Sequence, residues 1–184
     1  LVGSEMCIRD SNVGTLRLWK AEPWEEFDYD AFNSQHFTEA IVERERVSDI
    51  CRVLYPNDTT YEGKKLRVRQ QYFFTSASLQ AMIRSHLAHH GDLKNFADFH
   101  SVQLNDTHPV LAIPELMRLL LDEHGMGWEE AWEIVSNTFA YTNHTVLTEA
   151  LEQWDQQIFQ QLFWRVWEII AEIDRRFRIE RSAE

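Results

Sequence analysis

Apolar and polar positions alternate over Thr15–Lys20, with Leu16 and Leu18 set between Arg17 and Trp19, and a period of two predicts a strand. Ala21–Tyr29 is acidic, carries Pro23 and reads as a loop. From Asp30 to Arg52 the apolar residues Phe32, Phe37, Ala40, Ile41, Val47 and Ile50 fall at helical spacing. Val53–Gly63 is a second loop, built on Pro56 and Gly63 with Asn57, Asp58, Thr59 and Thr60 between them. Lys64–Ala88 then predicts one long helix, so rich in apolar residues that much of it should be buried. Asp92–His100 reads as a linker.

The most telling pattern comes next. Val102 and Leu104 close a strand, and four polar residues follow: Asn105, Asp106, Thr107 and His108. Pro109 suits a first helical turn. Val110, Leu111, Ile113, Leu116, Met117, Leu119 and Leu120 then run at helical spacing. Gly125–Gly127 breaks the chain, and Trp128–Thr138 predicts another helix. The grammar then repeats. Phe139, Ala140 and Tyr141 are strand-like, Thr142–Thr145 form a polar tip, and Val146, Leu147, Ala150 and Leu151 should start a helix. Gln153–Arg178 predicts a last long helix.

Each polar tip therefore sits between the carboxyl end of a strand and a helix. In open α/β sheets ligands bind at such ends, and two tips on one sheet can line one crevice. Asn, Asp, Thr and His supply donors and acceptors suited to a polyhydroxylated ligand. A plainer explanation stands beside this one. Asn105 and Asp106 can cap the helix at Pro109, and His144 can be a satisfied core histidine. His86, His89 and His90 cluster near the end of the long helix. Helical spacing gives them a shared face, yet no Cys, Asp or Glu before Asp92 completes a metal set, so cationic or dipolar side chains at a helix end explain them better.

Composition narrows the class. A chain of 184 residues with 44% hydrophobic and 12% aromatic content is a globular domain with a sizeable core. Seven Trp predict a large aromatic share of the core or of a buried interface. A net charge of −12 disfavours nucleic acid and anionic membranes as partners. No apolar run is long enough to span a bilayer. Cys7 and Cys51 make no disulfide framework, which fits a reducing cytoplasm. Leu1–Ser11, LVGSEMCIRDS, matches the translation of a sequencing-library adapter and is expected to be a scar. Setting aside its Arg9, Glu5 and Asp10 leaves 17 basic and 28 acidic residues, a balance of −11, so the charge argument stands.

LNDTHPVLAIPELMRLLLDEH and AYTNHTVLTEALEQW closely resemble the α-glucan phosphorylases, the family of glycogen, starch and maltodextrin phosphorylases. TLRLWKA, CRVLYPND at Cys51–Asp58, YEGKKLRVRQQYF at Tyr61–Phe73 and WEEAWEIV at Trp128–Val135 support the likeness, which runs from Thr15 to Phe177. The resemblance implies an α/β fold: residues 12–184 as part of the N-terminal, Rossmann-like domain of a GT-B glycosyltransferase, helix-rich with a few mostly parallel strands. It implies phosphorolysis of α-1,4-glucan by inorganic phosphate to glucose 1-phosphate, with retention, in a cytoplasmic homodimer that uses pyridoxal phosphate. His144 matches the histidine that contacts the glucosyl donor, with Asn143 beside it. Asp106 and His108 match residues on the acceptor-sugar side, and Asp58 with Asn57 matches a mobile gate. The Asp30–Arg52 helix matches one that projects to the partner subunit; unaided, its pattern is that of an amphipathic surface helix.

Several positions depart from the family pattern. Thr59 replaces an Asn at the gate. Arg84 matches one member of an effector-binding arginine pair, but Ser85 replaces the other. Phe163–Val166 reads FWRV for LPRH, Thr148 stands for Pro, and Ile179–Glu184 leaves the pattern. Lys20, Lys64, Lys65 and Lys94 are the only lysines, and none lies in the cofactor motif. The chain is thus expected to be an internal piece that carries one wall of a sugar site and is inactive and marginally stable alone. A stand-alone carbohydrate-binding module and an acidic helical interaction module are the alternative readings. The first predicts glucan binding by the chain itself, and the second predicts no sugar affinity.

Overall fold

The computed structural model describes residues 2–7, 13–24, 27–148 and 151–183. The chain divides into two compact units, Leu1–Phe74 and Thr75–Glu184. The boundary falls within one long helix.

The first unit opens with an antiparallel pair, β1 (Val2–Cys7) and β2 (Val13–Leu18), with Val2 opposite Leu18 and Cys7 opposite Val13. Of the expected scar, Val2–Cys7 is thus a paired strand, while Leu1 and Ile8–Ser11 lie outside the described residues. The single helix expected over Asp30–Arg52 is two: α1 (Tyr29–Asn33) and α2 (Glu39–Arg52). The break has a local cause. Asp28 caps α1 by accepting from the Ala31 N–H at 2.9 Å, and Gln35 takes a left-handed φ of 67°, which a continuing helix forbids. Phe32 packs against Phe27 and Phe37 with ring centroids 5.1 and 5.0 Å apart. Cys51 is tied into the same unit, where its sulfur accepts from the Ala21 N–H at 3.3 Å.

The loop before α3 (Tyr61–His90) is as expected, but Gly63 belongs to the first turn of the helix. A Cβ at Gly63 would stand 2.2 Å from the Asn57 carbonyl oxygen, so only glycine lets the loop lie this close. The long helix itself is a single element, two to three residues longer at each end than its apolar pattern predicts.

In the second unit, α4 (Phe96–Phe99) occupies the expected linker, with Leu93 and Phe96 buried. Strand β3 (Val102–Asn105) follows, then α5 (Ala112–Arg118), which widens into a π-helical stretch at Leu119–Glu123. Helix α6 (Trp128–Thr138) leads into β4 (Phe139–Thr142), and α7 (Gln156–Leu162) and α8 (Trp164–Ala183) complete the chain. Strands β3 and β4 form a parallel pair, Val102 opposite Phe139 and Asn105 opposite Thr142. The core lies among α3, β3, α5, α6 and α8, on Ile83, Leu104, Leu116, Leu120, Val135 and Ile169. Residues Leu116, Met117, Leu119 and Leu120 are all buried, on one side of the helix, and the π-helical stretch begins within this run at Leu119.

Three boundaries differ from expectation. The helix predicted from Pro109 starts at Ala112, and tight turns span the gap: Ala112 N donates to Pro109 O at 2.9 Å and Ile113 N to Val110 O at 3.1 Å. Val146 and Leu147 are not helical, Val146 being 97% exposed; Thr148 is in a 3-10 conformation, and Ala150 lies outside the described residues. The last predicted helix divides at Phe163, within the FWRV departure, where the backbone leaves the helical region (φ −142°, ψ 57°).

The tryptophans do not fill the core. Among the described residues none is fully buried, and Trp24, Trp132 and Trp164 are exposed. The buried polar groups are paired instead. Glu115, with no exposed surface, accepts from Ser76 Oγ at 2.6 Å and from Arg118 Nε and Nη2 at 2.8 and 2.9 Å. His86 is not solvated at the helix end: it is 1% exposed. Its Nε2 faces the Asp92 carbonyl at 2.8 Å, which can only accept, so Nε2 carries the proton. Its Nδ1 therefore accepts from His100 Nε2, 3.1 Å away. Burial, then the neighbouring His86 and His90, push His100 below the ordinary histidine range. Among the described residues no helix is long and apolar enough to cross a membrane, and no group of three or more His, Cys, Asp or Glu is arranged for a metal.

Candidate functional site

The β3/β4 pairing brings both predicted tips to one place. The strands are parallel and in register, so their carboxyl ends coincide and the polar residues emerge side by side. Asp106 N donates to Thr142 O at 2.9 Å, which extends the ladder one residue into the tips. Gln103 Nε2 donates to Thr142 Oγ1 at 2.6 Å across the pair. The Asn105 side-chain oxygen and His144 Nε2 are in hydrogen-bond contact, which joins the first tip to the second directly.

The tips are built by local turn chemistry. Asp106 holds a left-handed φ of 66°, a conformation that short polar side chains tolerate. Its Oδ1 accepts from the Thr107 N–H at 2.9 Å. Neither Asn105 nor Asp106 caps α5, whose preceding residue, Leu111, makes no side-chain cap bond. The capping explanation of these residues is therefore set aside. Nor is His144 a core histidine, since it is exposed. Asn143 makes a reciprocal turn with Thr145: Nδ2 donates to Thr145 O at 2.8 Å, and Oδ1 accepts from Thr145 N at 3.1 Å.

One further residue belongs to this corner. Glu152 accepts from Thr107 Oγ1 at 3.1 Å and stands 3.1 Å from His108 Nδ1. Its side chain is only 11% exposed, against 39% for His108. No sequence signal singled it out, because its partners lie 44 and 45 residues away and on a different strand connection.

Asp58 and Asn57 lie in the first unit and are described there. Asn57 Oδ1 accepts from Thr59 N at 2.9 Å and Thr59 Oγ1 at 2.7 Å, a turn in which Thr59 is a working partner. Asp58 pairs with Arg67 Nη1 at 2.6 Å, across nine residues. Arg67, 15% exposed, is the better buried of the two, so the loop is anchored to α3 by a half-shielded ion pair.

The donors, acceptors and left-handed turn at the ends of two parallel strands form an open polar wall, suited to hydroxyl groups. The model for the family described as carbohydrate phosphorylase matches residues 6–184. The chain belongs to the carbohydrate phosphorylase family. That match reaches past Thr15–Phe177 at both ends, and it includes the Ile179–Glu184 segment that departs from the expected pattern; Glu184 itself lies outside the described residues. An α-glucan phosphorylase, H isozyme, of Vicia faba is 52% identical over 170 residues, 90% of this chain. A glycogen phosphorylase of Synechocystis is 49% identical over 167 residues, and one of Saccharomyces cerevisiae is 47% identical over 167, each covering 91% of this chain. The chain spans only about a fifth of the length of these relatives: 20%, 20% and 18%.

The helix-rich architecture with a small parallel sheet suits a piece of such a protein. The residues present do not suit a pyridoxal phosphate pocket. Lys20, Lys65 and Lys94 are each engaged by a carboxylate, of Glu22, Glu62 and Glu130, and Lys64 lies in the first turn of α3. No residue of this chain is assigned to holding the cofactor.

Proposed function

We propose that this chain is a segment of an α-glucan phosphorylase and supplies one wall of its sugar site. The parent would carry out phosphorolysis of α-1,4-glucan by inorganic phosphate, releasing glucose 1-phosphate with retention, with pyridoxal phosphate held elsewhere in the polypeptide. In this reading residues 12–184 belong to the Rossmann-like N-terminal domain of a cytoplasmic, homodimeric GT-B enzyme, and Leu1–Ser11 is an adapter scar. His144 and Asn143 contact the donor sugar, and Asp106 and His108 line the acceptor side. Asn57 and Asp58 belong to a gating loop held by Arg67.

One observation carries the reading: two separately predicted polar tips meet at the carboxyl ends of β3 and β4, joined through Asn105 and His144. Relatives named glycogen phosphorylase and α-glucan phosphorylase, at 47–52% identity, supply the substrate class. Imidazole, amide and carboxylate side chains recognise sugar hydroxyls by paired hydrogen bonds, and a neighbouring carboxylate stabilises an oxocarbenium-like centre by charge. A missing donor or acceptor in such a site leaves a buried hydroxyl unpaired.

His144→Ala in the full-length polypeptide tests this. The expected result is loss of phosphorolysis by about two orders of magnitude with the fold retained, as when a preorganised polar contact to the reacting sugar is deleted. Unchanged activity would remove His144 from the site. The 184-residue chain alone, given pyridoxal phosphate, is expected to be inactive, and turnover by it would refute the assignment of the machinery to other parts of the parent.

A further inference from the structure

Glu152 meets two adjacent residues of the first tip at once. One carboxylate oxygen accepts the hydroxyl proton of Thr107 and the other faces His108 Nδ1, each at 3.1 Å. An ionised carboxylate only accepts, so His108 must donate through Nδ1. In the neutral ring that leaves Nε2 as the acceptor nitrogen. The neutral histidine side chain in water favours the opposite tautomer, with the proton on Nε2. The shielded carboxylate therefore reverses the ring's ordinary preference. It also commits the Thr107 hydroxyl proton, so that towards a ligand Thr107 acts through its lone pairs.

We propose that Glu152 is a positioning residue that makes Thr107 and His108 into hydroxyl-reading acceptors. This rests on the reading of the β3/β4 corner as a sugar wall. The corner would then require a sugar hydroxyl that donates a proton, and would discriminate against the same sugar carrying a methyl ether at that position. Glu152 itself need not touch the sugar. Its effect reaches the ligand through the ring it orients, as a carboxylate behind a histidine does elsewhere in protein chemistry.

Glu152→Ala and Glu152→Gln separate the possibilities. In the 184-residue chain at neutral pH, nitrogen-15 NMR of the His108 ring should place the proton on Nδ1 and the lone pair on Nε2. Glu152→Ala should reverse the two. Glu152→Gln should keep the wild-type pattern, because the amide oxygen takes the ring proton while the amide NH2 donates to Thr107 Oγ1. In the full-length polypeptide, Glu152→Ala should raise KM for glucan about tenfold with kcat within about threefold, the effect of one lost or misdirected hydrogen bond, and Gln should restore most of it. A wild-type ring protonated on Nε2, or a tautomer indifferent to Glu152→Ala, overturns the proposal; should the Ala variant fail to fold, the wild-type and Gln spectra still decide it. A tautomer that reverses while KM stays unchanged supports the carboxylate–imidazole pairing and overturns the sugar role of His108. If His144→Ala is then also without effect, the failure lies in reading the corner as a sugar site at all.

Discussion

Replacing Arg118 by Met isolates the charge that anchors the helix behind the β3 tip. Glu115 is fully buried and is held by three hydrogen bonds, two of them from Arg118 at 2.8 and 2.9 Å and one from Ser76 at 2.6 Å. Removing one partner of a buried pair leaves an uncompensated charge and costs about 3–5 kcal/mol. The Ser76 bond survives and Arg118 is itself 19% exposed, which places Arg118→Met near the lower end, at about 3 kcal/mol. For a chain of this length that lowers the melting temperature by about 6–12 °C. Adding Glu115→Gln should recover more than half the loss, since the amide keeps its bond to Ser76 and no longer needs a cation. Circular dichroism with thermal and urea denaturation of the three proteins reads both values. A loss in Arg118→Met below about 1 kcal/mol, the range of an exposed ion pair, would refute the argument, as would a Gln variant that recovers nothing.

Two other perturbations test separate parts of the structure. Gly63→Ala puts a Cβ 2.2 Å from the Asn57 carbonyl oxygen, so the 53–60 loop must move away from α3; the expected cost is about 1–3 kcal/mol together with faster proteolysis of that loop, and wild-type resistance would show the approach to be unimportant. The histidine relay predicts a pH effect of definite sign. His100 has its pKa lowered in the folded state, so the unfolded chain binds more protons just below the ordinary value of 6.5. The stability is complete above about pH 6.5, falls as pH drops below it, and levels off once the folded-state pKa is passed. Asp92, Asn95 and His90 face the pair along with His86 and His100 itself. Urea titrations between pH 5 and 8 on wild type and His100→Gln should differ in slope, and parallel curves would remove the pair from the pH response.

How much of this was legible in advance depends on the range of the forces involved. Local backbone chemistry is written in short stretches, so α6 falls on Trp128–Thr138 as its periodicity predicts, and β3 and β4 appear where Val102–Leu104 and the strand-like Phe139–Tyr141 placed them. The same locality misled at two points. Asp30–Arg52 carries a continuous helical pattern, but Asp28 caps α1 and Gln35 turns left-handed, and neither signal outweighs periodicity when counted by position. Val146–Leu147 looks like a helix start yet stands in solvent, with no face to bury it. The seven Trp were expected in the core or in a buried interface; the core is aliphatic with Phe96 and Phe159, and Trp132 and Trp164 are exposed.

By itself the sequence determined α3, α6, the two strands of the polar corner, the polar tips and the family, because these rest on spacing within a dozen or so residues and on long matches in register. Tertiary structure alone decided that the tips meet, since parallel strands are joined by a crossover and only their pairing says which ends coincide. It alone recruited Glu152 to Thr107 and His108, and buried Glu115 against Ser76 and Arg118. Ser76, Thr107 and His108 lie far along the chain from the carboxylates they meet, only Arg118 being a local partner of Glu115, and no local preference of an isolated Glu distinguishes a solvated carboxylate from one that orders a site. The distinction comes from what folding packs around it, through the cost of leaving a charge unpaired away from water.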